Sequence, residues 1–224
     1  MSEAYCQRHL DPAEALQYRH KFEKSWTRRL SAWRERALVD RAVKEALGLL
    51  PDVLRAPNSP VLLDLPCGAG RFAPLLVKHA NTYVGADHSP HMLAICREVV
   101  GDRIAHFQQA DARDMPFDDG AFDIACCLRL IHHFRNADEQ RQILREFRRV
   151  VRGPLVLTWL DASTPKQWVH AQRRALSHVD NRRTVLTRGD LEALAGECGW
   201  ELVSTRSLSG LFSGQSVAVL KPAK

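Results

Sequence analysis

Three acidic residues and two glycines stand where carboxylates and bare backbone could hold a ligand rich in hydroxyl and amino groups. Asp64 falls within the apolar run Val61–Leu65 and precedes Pro66, Cys67, Gly68, Ala69 and Gly70. Gly68 and Gly70 can take backbone angles closed to other residues and leave no side chain between the main chain and a ligand. Asp87 closes a second apolar run, close to the roughly 20-residue interval at which an acid binds ribose hydroxyls. Asp111 follows a third run, placed to accept from an exocyclic amine if the ligand carries adenine. After a fourth run comes C-L-R-L-I-H-H-F, with Leu128, Arg129, His132 and His133. A histidine there is a natural general base, or else a helix-start residue that packs or caps. Arg129, just beyond a buried strand, points into a ligand mouth or forms an ion pair, because unpaired burial is costly.

The elements that would position these residues alternate between strand and helix. Strands are expected at Val61–Leu65, Thr82–Ala86, Ile104–Gln109, Ala121–Leu128 and Gly153–Leu160, with helices from Arg71, from Pro90 behind an N-cap at Ser89, and over Asp138–Val150. That alternation specifies a doubly wound, mostly parallel α/β sheet, in which ligands lie beyond the carboxyl ends of the strands. A further helix spans Thr187–Cys198, starting near Thr187 or Asp190, and Trp200–Ser207 is a sixth strand. The stretch from Ser207 to Gly214 is too short for a parallel crossover, so the last strand, Q-S-V-A-V-L-K, is expected to run antiparallel.

The turn Gly68-Ala69-Gly70-Arg71-Phe72-Ala73 satisfies G-x-G-x-x-G/A, so by itself it leaves a nicotinamide-dinucleotide site open. The ordered set of motifs goes further. D-L-P-C-G-A-G-R-F, G-A-D-H-S-P-H-M-L, A-D-A-R-D-M-P-F-D-D-G-A-F-D and C-L-R-L-I-H-H-F, together with the hairpin ending, resemble the class I S-adenosylmethionine (SAM)-dependent methyltransferases with small-molecule-type domains. The resemblance covers roughly residues 60–220. Pro66 stands where that family usually has its first glycine. The resemblance implies a seven-stranded sheet of order 3-2-1-4-5-7-6, SAM as cofactor, Asp87 on the ribose, His88, Asp111 and Ala112 around the adenine, and Leu128 to His133 lining the methionine part and the substrate mouth. It implies methyl transfer to a small-molecule or a glycan- or lipid-linked acceptor, with O-methylation favoured. The rival readings are a noncatalytic SAM-binding regulator and an NAD-dependent oxidoreductase.

The remaining sequence frames this domain. Residues 1–59 read as an N-terminal helical cap, with Tyr18, Phe22, Trp26, Leu30 and Trp33 forming a stripe expected to pack. A sharper alternative brings Trp26, Arg29, Trp33, Arg34 or Arg36 over the ligand, and the basic face could also meet anionic lipid. Residues 60–224 form the ligand-binding domain, and an insertion at about 161–187 reads as a lid. Its basic residues, with Trp168, Arg173 and Arg174 as candidate substrate contacts, suit an acidic acceptor. Across 224 residues the net charge of +6, with 45% hydrophobic and 26% charged residues, fits a folded domain and chooses no partner. Nucleic acid is not expected as a partner. No apolar run approaches the roughly 18 residues of a membrane span, and the protein is expected to be cytoplasmic. The six cysteines contain no C-x-x-C pair and read as reduced, mostly buried thiols. His88-x-x-His91 and His132-His133 lack further ligands at a recognisable spacing, so no metal is expected.

Overall fold

Short apolar runs closed by Asp, Gly or Pro become strands in the computed structural model, which describes residues 26–52, 60–101, 105–165, 183–208 and 214–223. The strands are β1 (Val61–Asp64), β2 (Thr82–Asp87), β3 (Ala105–Gln109), β4 (Ile124–Cys127), β5 (Leu155–Leu160), β6 (Trp200–Ser207) and β7 (Gln215–Pro222). They form one sheet in the order β3-β2-β1-β4-β5-β7-β6. The first five pair in parallel, whereas β7 runs antiparallel to both β5 and β6. Order and direction agree with the sequence expectation. The chain builds outward from β1 to β3 and then returns to place β4 on the other side of β1. The loops after β1 and β4 therefore diverge over a crevice at the carboxyl edge.

Five helices cover the sheet among the described residues: α1 (Trp26–Gly48), α2 (Ala73–Leu76, continued by a 3-10 turn at Val77–His79), α3 (Pro90–Val100), α4 (Ala137–Val150) and α5 (Arg188–Gly196). Ser89 caps α3 by accepting from the Met92 amide at 3.3 Å, with Pro90 in the first turn. Thr187 and Asp190 close α5 reciprocally as a capping box, so both residues proposed for its start act there. Alternation across the strands gives the sheet two apolar faces. Leu63, Ala125, Cys127, Leu157 and Trp159 share a core with residues of α4 and α5. Leu62, Ile124, Cys126 and Val156 share another with α1 and α2. Cys126 and Cys127 thus face opposite ways, and Cys67, Cys96, Cys126, Cys127 and Cys198 are all buried free thiols.

Two expectations change. The fourth strand is shorter than Ala121–Leu128, because Phe122 and Asp123 serve the amino edge of the sheet. The Phe122 amide donates to the Val150 carbonyl at 3.0 Å, and the Asp123 carboxylate accepts from the Val61 amide at 2.9 Å and from Arg152 at 2.5 Å. The described part of the aromatic stripe stays exposed: Trp26, Leu30 and Trp33 are 75%, 47% and 67% exposed, while Tyr18 and Phe22 lie outside the described residues. At 3.6 residues per turn, Glu35, Val39, Ala42, Val43 and Ala46 fall on the opposite side of α1, and that side is buried. Both sides carry apolar residues. The sheet takes the one whose small and β-branched side chains let the helix approach.

Candidate functional site at the carboxyl edge of the sheet

The turn after β1 is fixed by backbone hydrogen bonds to both neighbouring strands. The Leu65 amide donates to Cys126 O at 3.0 Å and the Cys67 amide to Ala86 O at 2.9 Å, with the Leu65–Pro66 peptide cis. The two glycines then do different work. Gly68 has φ +54°, and a Cβ placed on it would meet no atom within 4 Å, so its surface is open to a ligand. Gly70 has φ +74°, and a Cβ there would lie 3.2 Å from the backbone of Cys96, so this residue lets the turn press against α3.

Two buried carboxylates lie beneath and beside the turn. Asp87, 8% exposed, accepts from the Gly68 amide and the Ser89 amide, each at 2.9 Å. Burial pushes its carboxyl above the ordinary range, while those amides pull it back. Each carboxylate oxygen has two acceptor sites, so capacity for ligand hydroxyls remains. Asp64, 1% exposed, accepts from the Tyr83 hydroxyl at 2.7 Å. Burial dominates here and, with the charge of Asp87, raises its carboxyl to about 7 against the Tyr83 hydrogen bond. The structure thus places Asp64 under the turn, with Tyr83 as its protein partner.

Beyond β3, Asp111 is held by a residue its own motif supplies. Arg113 grips it with Nε at 3.0 Å and Nη2 at 2.6 Å, and its amide donates at 2.9 Å. Burial raises the Asp111 carboxyl, but the hydrogen bonds and charge of Arg113 outweigh it and hold the group below its usual value. Asp111 is therefore a fixed anion, with Ala112 buried beside it and His88 tied by its carbonyl to Gln109 at 2.9 Å.

At the end of β4 the backbone turns sharply through Arg129, whose φ is +63°. For a residue with a Cβ this conformation is uncommon, and the Arg129 amide donates to Thr158 Oγ1 at 2.6 Å. The Arg129 side chain forms the ion pair that the sequence allowed: Nη1 lies 3.2 Å from Glu35 Oε1 on α1 and 3.4 Å from Gln215 Oε1 on β7. The other oxygen of Glu35 binds Arg71, just after Gly70. His132 and His133 follow in a 3-10 turn, their ring centroids 4.3 Å apart. His132 is buried, and its Nδ1 has no hydrogen-bond partner among the described residues. Burial, with the nearby His133, Arg129 and Arg183, drives its pKa well below the ordinary imidazole value, so the ring stays neutral.

The structure brings together Asp64, Pro66, Cys67, Gly68, Ala69, Gly70, Asp87, His88, Asp111, Ala112, Leu128, Arg129, His132 and His133 along one edge. Trp168, Arg173 and Arg174 lie outside the described residues. Arg29, Arg34 and Arg36 are exposed on α1, and the helix reaches the site through Glu35 instead. Sequence reasoning passed over Glu35, Arg71, Arg113, Thr158 and Gln215. Arg113 was findable, since a cation two residues after a loop carboxylate can fold back onto it. Nothing in R-E-R marks Glu35 as buried. Among the described residues no cluster of His, Cys, Asp and Glu converges as a metal-ligand set, and no helix is long and apolar enough to cross a membrane.

Carboxylate acceptors at Asp87 and Asp111 and bare backbone at Gly68 lie along β2, β3 and β1, an arrangement suited to a ligand rich in hydroxyl and amino groups. Comparison with known proteins points the same way. Residues 63–154 match a family described as "Methyltransferase domain". A demethylmenaquinone methyltransferase of Thermus thermophilus is 37% identical over 123 residues, 53% of this chain and 49% of that protein. A 2-phytyl-1,4-naphtoquinone methyltransferase of Synechococcus elongatus is 32% identical over 111 residues, 46% of each chain. The chain spans about half the length of these curated relatives. Among solved structures, magnesium protoporphyrin IX methyltransferase from Synechocystis, with bound SAH, superposes with a TM-score of 0.68 at 16% identity, covering 89% of this chain and 88% of that one.

Proposed function

We propose that this chain, whose fold is that of the class I SAM-dependent methyltransferases, transfers a methyl group from SAM to a small-molecule acceptor. One observation carries the reading: an open left-handed glycine, Gly68, donates its amide to the buried carboxylate of Asp87, so bare backbone and a diol acceptor face the same ligand.

In this reading Asp87 accepts the ribose hydroxyls, and His88, Asp111 and Ala112 surround the adenine. Asp64, Pro66, Cys67, Gly68, Ala69, Gly70 and Leu128 wall the methionine part. When bound, SAM supplies a methyl group already activated on a sulfonium. The chain's own tasks are therefore to hold a nucleophile in line, exclude water and remove a proton where the nucleophile carries one. His132 or His133 takes that proton. Burial keeps His132 unprotonated at neutral pH and at the same time makes it a weaker base than an ordinary imidazole.

The finer reading is O-methylation of an acidic acceptor, small or glycan- or lipid-linked, with Trp168, Arg173 and Arg174 in a lid over residues 161–187 and residues 1–59 as a cap. A second reading, an apolar ring-bearing acceptor in place of an acidic one, is favoured by the relatives named for quinones. Peripheral contact with a membrane fits the exposed Trp26, Leu30 and Trp33, and the protein acts in the cytoplasm. Incubating the protein with methyl-labelled SAM and metabolite or lipid extracts tests the activity. Label in a product supports transfer. SAM binding with no labelled product favours a noncatalytic regulator, and NADH binding without SAM binding favours an oxidoreductase. Reversing the charges of Arg173 and Arg174 is expected to raise acceptor KM and leave SAM affinity alone; an unmoved KM removes the acidic acceptor.

A further inference from the structure

The first turns of α1 carry a face that the domain leaves unused. Trp26, Leu30 and Trp33 recur at helical spacing, so at 3.6 residues per turn they form one stripe, and all three are exposed. The same geometry puts Arg29 and Arg36 along one flank of that stripe and Arg34 along the other, each of them exposed. Glu35, the acid of the stretch Trp26–Arg36, falls on the opposite side of the helix and is buried against Arg71 and Arg129. The described surface of this stretch therefore joins large apolar side chains to positive charge, with no carboxylate beside them. Such a face suits the boundary of an anionic bilayer, where rings sit at the headgroup level and guanidiniums meet lipid phosphates. A second copy of the chain fits less well, because a two-fold contact through the stripe sets arginine flanks against arginine flanks.

The direction of α1 says where this face lies. Glu35 pairs with the arginines that follow β1 and β4, at the carboxyl edge of the sheet, whereas Leu50, just past the helix, lies against Gly153 at the head of β5. The helix thus runs from the carboxyl edge back to the amino edge, and its residues before Glu35 extend beyond the carboxyl edge. At 1.5 Å per residue Trp26 lies roughly 14 Å further along the axis than Glu35. The stripe and the candidate site therefore share one end of the molecule.

We infer that the first turns of α1 dock on a membrane surface of acidic phospholipid, with Trp26, Leu30 and Trp33 entering at the headgroup level and Arg29, Arg34 and Arg36 on lipid phosphates. The contact sets the carboxyl edge of the sheet beside the bilayer. It is peripheral and reversible, since among the described residues no helix is long and apolar enough to cross a membrane. The docking is read from the helix alone. Its use, access of the site to an apolar ring-bearing acceptor held in the bilayer, rests on the methyltransferase reading above.

Co-sedimentation of the full chain with vesicles of phosphatidylcholine, alone or mixed with phosphatidylglycerol, tests the docking. The wild type is expected to bind the mixed vesicles about tenfold or more tightly than phosphatidylcholine alone, and to lose that preference in high salt. Trp26→Ser with Trp33→Ser should weaken binding to the mixed vesicles about tenfold or more, and Arg29→Gln with Arg36→Gln should cut the preference for phosphatidylglycerol about tenfold. These side chains are exposed, so both variants should unfold at the wild-type temperature. Absence of vesicle binding by the wild type, or binding that survives the tryptophan pair of substitutions, overturns the inference. A wild-type dimer in sedimentation velocity that the tryptophan pair dissociates also overturns it, because the face then belongs to a second copy. Titration with S-adenosylhomocysteine tests the methyltransferase reading separately. A wild type that binds vesicles but not S-adenosylhomocysteine keeps the docking face and loses the methyltransferase; one that binds S-adenosylhomocysteine but not vesicles does the reverse.

Discussion

Replacing Asp64 with Asn offers a quantitative test of the layer beneath the ligand turn. The side chain is 1% exposed, its carboxyl is raised from 3.8 to about 7, and burial is the largest cause. The neighbours that face it are Tyr83, whose hydroxyl donates at 2.7 Å, and the carboxylate of Asp87. A carboxyl whose pKa is raised on folding holds its proton in the folded state after the unfolded chain has released it. Its contribution is therefore fully present below about pH 4 and is lost as pH rises through about 7. At about 1.4 kcal/mol per pH unit, the loss accumulated between pH 5 and pH 8 is roughly 3 kcal/mol. Asn is nearly isosteric, can accept from Tyr83 and does not titrate. Buried His132 works in the opposite sense, since its lowered pKa removes stability as pH falls below 6.5. The quantity to read is thus the difference between wild type and Asp64→Asn at each pH, from which His132 cancels. Urea unfolding of the ligand-free protein is expected to show Asp64→Asn gaining on the wild type by roughly 3 kcal/mol from pH 5 to pH 8. A difference that stays flat across that range refutes the assignment.

Other substitutions probe other parts of the molecule. Asp87→Ala removes the acceptor of the Gly68 and Ser89 amides together with the proposed ribose contacts; at about 1.5–3 kcal/mol per hydrogen bond to a charged group, SAM affinity should fall at least a hundredfold by calorimetry, and near-normal affinity would remove the ribose role. His132→Gln should cut methyl transfer to a hydroxyl acceptor by about a hundredfold or more at saturating SAM. If His132 is the base, the wild-type rate should hold constant down through pH 6.5, because the ring does not protonate there; a rate that halves near pH 6.5 removes His132 from that role. Gly153→Ala would place a methyl group 2.0 Å from the Asp123 carbonyl, so thermal unfolding should reveal a loss of about 1–3 kcal/mol or more, and an unchanged midpoint would contradict the close approach.

The fold was legible because its signals are local. Runs such as Val61–Asp64 and Leu155–Leu160 are apolar on both faces and end in turn residues, and the short link to β7 leaves only an antiparallel return. Asp87 and Ser89 were legible for the same reason, since a strand end and a cap lie two residues apart, and Gly68 because its turn directly follows β1. The hidden part depends on distance along the chain. Glu35 and Arg129 are separated by 94 positions, and their pairing follows from how α1 docks, which periodicity cannot settle when both sides of the helix are apolar. Trp26, Leu30 and Trp33 look like the packing side because they are large. Burial instead went to Val39, Ala42, Val43 and Ala46, whose smaller side chains let the backbone come close to β5 and β7. Arg113 lay in between, adjacent in sequence yet revealed only by its grip on Asp111.

Asp123 carries a consequence for how this protein can change. One carboxylate clamps the head of β1 to Arg152, and Gly153 abuts its carbonyl so closely that no larger residue fits, which rivets the rear rim of the sheet. That clamp shares no residue with the loops at the opposite rim, where the candidate site lies. Recognition segments can therefore be exchanged along that front without unseating the platform behind them, so a chimera bearing another protein's acceptor loops should keep its fold while its chemical appetite changes.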